Sequence, residues 1–170
     1  MNEEKHNVKA KRVDRGLTVA IIALLINVIT VSVSLYQSKI MREQQYASAW
    51  PYLEWVSLYN QNDGYRLEVN NNGVGPAIIK EVDIRLNGKQ VDDLKTVFDY
   101  VLDSTYYPYT SGRIRNRVIP AGTTVRLAKI NDDLLSELAF YSLDSIDFTM
   151  NICYESIYGE TWTSTGTAVL

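Results

Sequence analysis

The sequence holds one cysteine, Cys153, and one histidine, His6. A lone cysteine excludes an intrachain disulfide and a cysteine-rich metal site. With His6 in the polar N-terminal stretch, the remainder of the chain has no imidazole to serve as base or ligand. No zinc-ligand spacing and no Gly-x-Ser-x-Gly elbow occur either. Cys153 therefore reads as a plain packing or surface thiol. A basic excess is missing too: the formal net charge is −3, which argues against a nucleic-acid partner, since that requires a basic face. Internal repeats and low-complexity segments are absent. These gaps leave no motif for a reaction, and the expectation is a non-enzymatic protein without metal or cofactor.

What the sequence does contain is a long uncharged run, LTVAIIALLINVITVSVSL, at residues 17–35. As a helix, nineteen residues rise roughly 28 Å, close to the ~30 Å of a bilayer's hydrocarbon core. Twelve of them are Leu, Ile or Val, each favouring insertion by about 0.3–0.6 kcal/mol. Their sum outweighs one Asn and a few hydroxyls, so the run reads as a transmembrane helix. Residues 1–16 carry five Lys or Arg against three Asp or Glu, and the rest carries twelve against seventeen. Only Lys39 and Arg42 follow the run closely. The positive-inside rule then predicts a cytoplasmic N-terminus and an exported C-terminal part. The rivals are an inverted topology and a cleaved signal peptide with Ser32-Val33-Ser34 as its cleavage site. The run exceeds the 7–15 apolar residues of a signal peptide, which argues against cleavage.

Within the run, Gly16, Ala20, Ala23, Asn27, Thr30 and Ser34 recur at alternating spacings of four and three. A small or polar seam of this period is what a close left-handed helix–helix contact requires. Asn27 near mid-membrane could hydrogen-bond across it. The expected partners are the lipid bilayer and either a second copy or another membrane protein. Residues 36–49 are polar and helix-compatible, and read as a stalk that Pro51 ends by disfavouring helical geometry at Trp50.

From Tyr52 the period becomes two. YLEWVSLY and YRLEVNN flank a turn at Asp63-Gly64, and IIKEVDIRL precedes a second turn at Asn87-Gly88. Val82, Ile84 and Leu86 are expected to form a buried face. Helical spacing of Leu94, Val97, Phe98 and Val101 predicts a helix over 92–102, with Asp92 and Asp93 as capping carboxylates. Asn131-Asp132-Asp133 announces a short second helix, LLSELAF. RIRNRVI and TTVRLAKI read as strands on either side of Pro120-Ala121-Gly122. Ile146, Phe148, Met150, Ile152 and Tyr154 alternate as a buried strand face, and Gly159 turns the chain into a last strand. About seven strands with turns every ten residues or so predict an antiparallel β-sandwich over 50–170, one domain of about 120 residues.

Pro51-Tyr52-Leu53, LEVNNNGVGPA at 67–77, VIPAG at 118–122 and ICYESIYGETW at 152–162 give the chain a further likeness. It resembles bacterial single-pass membrane-anchored proteins with an immunoglobulin-like β-sandwich, most of which have no assigned reaction. The resemblance implies the bacterial inner membrane, and a turn at Asn-x-Gly-x-Gly-Pro-Ala that passes from one sheet to the other. Gly73-Val74-Gly75-Pro76 is no phosphate cradle, because proline and a strand follow where a helix should open.

Two surfaces are candidates for partner binding. Arg113, Arg115 and Arg117 are spaced by two, so on a strand their guanidinium groups would project from one face and could hold a carboxylate or phosphate. Tyr106, Tyr107 and Tyr109 around Pro108 form an aromatic loop suited to a protein interface. The expected function is an interaction module in a membrane complex; the alternative is an extracytoplasmic sensor for a small anionic ligand or envelope component.

Overall fold

The computed structural model describes residues 15–103 and 109–167. The chain divides into two compact units, residues 1–44 and 45–170. A single helix, α1 (Arg15–Ser48), contains the whole apolar run, and none of its side chains is buried. It is the one helix among the described residues long and apolar enough to span a membrane or act as a signal anchor. It continues without a break through the expected stalk and stops before Pro51.

The second unit is mainly β. Its elements run β1 (Leu53–Asn60), β2 (Gly64–Asn71), β3 (Ala77–Leu86), β4 (Lys89–Val91), α2 (Leu94–Val101), β5 (Tyr109–Ser111), β6 (Val118–Ile119), β7 (Thr124–Ile130), α3 (Asp133–Ser145), β8 (Phe148–Glu155) and β9 (Thr161–Thr167). One antiparallel sheet has the order β1-β2-β7-β5. The other has the order β4-β3-β8-β9, with β6 added to β3. Both expected turns form: Gly64 has φ +74°, and Asn87 and Gly88 have φ +50° and +74°. The latter pair sits between Leu86 and its cross-strand partner Lys89, a two-residue hairpin whose mirror-image turn needs positive φ twice.

Inward side chains of both sheets merge in one core, including Leu67, Val69, Ile79, Ile84, Leu127, Met150 and Ile152. Val82, Ile84 and Leu86 are buried as expected, and so are Phe148, Met150, Ile152 and Tyr154. One extra residue on β3, Lys80, interrupts its ladder with β8. That bulge lets Ile79 and Val82, three apart in sequence, both face the core. Trp55 on β1 joins the sheets: its Nε1–H donates to the Met150 carbonyl at 3.1 Å, and its ring meets Phe148 edge-on. A Cβ on Gly166 would lie 2.5 Å from that indole, so β9 needs glycine there.

The Asp carboxylates cap the helices. Asp93 accepts from the Thr96 N–H and Asp132 from the Leu135 N–H, both at 2.9 Å. The second helix is longer than its LLSELAF signal, running to Ser145.

Candidate functional site

The six seam residues all lie on α1. At about 100° per residue, Gly16, Ala20, Ala23, Asn27, Thr30 and Ser34 fall within an arc of about 80°. The hydroxyls of the run are satisfied locally. Thr30 donates to Ile26 O, Ser32 to Val28 O and Ser34 to Thr30 O, each four residues back. Thr18 also has a partner. Asn27 has none among the described residues, although its carboxamide carries two donors and an acceptor. Unlike those hydroxyls, its carboxamide makes no bond back to a carbonyl of its own helix among the described residues.

The arginine stripe requires a correction. Residues 112–117 are not a strand: the chain is irregular there, turns at Arg115-Asn116, and enters β6 only at Val118. Asn116 takes φ +55°, which breaks an extended run, and the turn closes with Arg117 N–H on Ile114 O. Of the stretch, only Ile114 is apolar and buried, and it anchors the loop to the core. The three guanidinium groups therefore do not share a face by alternation.

Two of them nevertheless converge on one cleft, whose volume is about 640 Å³, within the range of ligand pockets. Val82 and Ile84 from β3, Leu94 from α2, Ile114, Leu127 and Met150 form its floor, and Asp92, Asp93, Arg113 and Arg115 its rim. Arg115 is fixed there because its Nη2 donates to Val82 O at 3.0 Å. That carbonyl lies in the gap where β3 is paired neither by β6 nor by β4. Arg113 is exposed and close enough to Asp93 to favour its charged form. The Asp93 carboxyl is held below its usual range first by the Thr96 backbone N–H, then by the Thr96 hydroxyl, with Lys95 and Arg113 adding to the effect. Arg117 does not line the cleft. Tyr106, Tyr107 and the Tyr109 side chain lie outside the described residues; Tyr109 opens β5.

One joint was not singled out from the sequence. Asn71, at the end of β2, is buried and uses its whole carboxamide. Its Oδ1 accepts from Tyr52 N–H (3.2 Å) and Gly73 N–H (3.1 Å). Its Nδ2 donates to Gly75 O (2.9 Å) and Ile119 O (3.0 Å). The segment Ala49–Tyr52 crosses directly over the glycine turn, where Val74 and Gly75 N–H both donate to Trp50 O. A Cβ on Gly75 would lie 2.0 Å from Ala49 O, and one on Gly73 2.3 Å from Tyr52 N. The turn leads from β2 in one sheet to β3 in the other, as the motif implied. Three asparagines breaking an alternating strand just before Gly-x-Gly were the available signal.

Among the described residues, no group of His, Cys, Asp and Glu is arranged to hold a metal ion. No curated protein and no solved structure matches the chain. A family does match, over residues 16–168, so that helix and β-rich unit fall within one inherited unit: the chain belongs to the family described as a domain of unknown function (DUF8453).

Proposed function

We propose that this protein is a non-enzymatic, single-pass interaction module of the bacterial inner membrane that assembles through its transmembrane helix. The N-terminus is cytoplasmic and the C-terminal domain extracytoplasmic, in keeping with the basic residues before the run. The domain is an immunoglobulin-like sandwich. Its orders β1-β2-β7-β5 and β4-β3-β8-β9 correspond to the A-B-E-D and C-F-G sheets of that fold, with β4 as an added edge.

The observation that carries the reading is Asn27. In hydrocarbon an unpaired carboxamide is costly, Asn27 has no hydrogen-bond partner among the described residues, and the small residues on the same arc would let a second helix approach. The pairing is with itself or with another membrane subunit. The test is energy transfer between differently labelled copies, and to candidate neighbours, in bilayers. Asn27→Leu with Ala23→Leu should weaken association by about 0.5–2 kcal/mol. Unchanged transfer would overturn the reading.

A second reading rests on Arg113 and Arg115 above an apolar cleft: a sensor domain that takes a small carboxylate or phosphate in forked pairs. Inorganic phosphate and short alkyl carboxylates should then raise the thermal midpoint of the chain. Arg113→Ala with Arg115→Ala should abolish the rise, and Arg117→Ala should not. A rise that survives the double variant would sink this reading.

A further inference from the structure

The four sheet edges of the domain are unequal. Strands β4 and β5 have three residues each, and β4 carries Lys89. Edge strand β1 carries Glu54. Short length and charge are common ways of blunting an edge against strand addition. Strand β9 has neither protection. It is seven residues long and reads TWTSTGT, without charge, proline or bulge. Its ladder to β8 is unbroken from Glu155↔Thr161 to Thr149↔Thr167, and among the described residues β9 pairs with β8 alone.

We propose that β9 is a self-association edge, on which two copies of this chain pair antiparallel about Ser164 and join their β4-β3-β8-β9 sheets into one. The sequence of the strand points to a second copy as the occupant. Pairing about Ser164 sets Thr161 opposite Thr167 and Thr163 opposite Thr165, and the bulky Trp162 opposite Gly166 of the second copy. Thr163 and Thr165 are exposed and Trp162 faces the core, so the alternation of both copies is preserved. Directly opposed threonines stabilise an antiparallel pair. No charge on the ladder repels a like strand, and none would steer a charged peptide to it. The contact is independent of Asn27 and of the helix seam.

The experiment uses the full chain in membranes, with Cys153→Ser, because Cys153 lies cross-strand from Thr163 in the same copy. Two differently tagged copies, one Thr163→Cys and one Thr165→Cys, are oxidised together. A Thr161→Cys and Thr163→Cys pair controls for collision, because those positions would lie about 13 Å apart in the same register, beyond disulfide reach. The matched pair should give at least about fivefold more disulfide-linked dimer than the control pair, in keeping with the ~7 Å limit for bridging. The excess should persist when both copies also carry Asn27→Leu, which separates this contact from the helix contact. Equal yields from the two pairs, or no dimer from either, would overturn the proposal.

Discussion

Asn27 and Asn71 are the same side chain in two parts of one molecule, and their circumstances are opposite. Asn71 sits in a protein core with four hydrogen bonds, all to its own chain. Asn27 sits in the middle of a nineteen-residue apolar run with none among the described residues. A water-poor setting demands partners for a carboxamide, whether in a protein core or in the bilayer proposed around α1. In the β-rich unit, chain reversal brings distant carbonyls and N–H groups to the side chain. On α1 no chain reversal brings such groups to Asn27, and in the proposed assembly a second helix would supply them. The contrast separates a residue that specifies a fold from one that, as proposed, specifies an assembly.

The comparison breaks most visibly at Asn71. Asn71→Leu strands two carbonyls and two N–H groups and should destabilise the domain by about 2–4 kcal/mol, read as a lower denaturant midpoint by tryptophan fluorescence. An unchanged midpoint would mean that the hub is incidental. Asn27→Leu sharpens the contrast: in the same assay it should move the midpoint by less than about 0.5 kcal/mol, as surface changes do, while energy transfer falls. The smallest effect belongs to Asp93, whose carboxylate accepts from Thr96 at the surface. Because its carboxyl is held below the usual range in the folded chain, its contribution is complete at neutral pH. It disappears as pH falls through that lowered value. Asp93→Asn keeps an acceptor for the cap, and should flatten the acid limb of a circular-dichroism titration without shifting the neutral-pH midpoint appreciably.

Most of the architecture was legible because it rests on local signals. The apolar run predicted α1, Asn87-Gly88 the two-residue hairpin, Asp93 and Asp132 the caps, and the alternation from Phe148 to Tyr154 a buried strand face. The arginine stretch misled for an equally physical reason. Alternating charges imitate an exposed strand, but Asn116 adopts a left-handed conformation and only Ile114 is available to bury. Convergence could not be read locally. The cleft gathers residues from β3, α2, the 112–115 loop, β7 and β8. The Asn71 hub joins Tyr52 and Ile119, which only the pairing of strands makes neighbours.

The Asn71 joint also has a mechanical meaning. The carboxamide holds Tyr52, where the chain enters the domain, and Ile119, on a strand of the opposite sheet. A pull arriving along the chain at Tyr52 would thus reach both sheets at one joint, through this side chain together with the bonds that Trp50 O accepts from Val74 and Gly75 N–H. The load would then fall on strands of both sheets at once, and not on β1 alone.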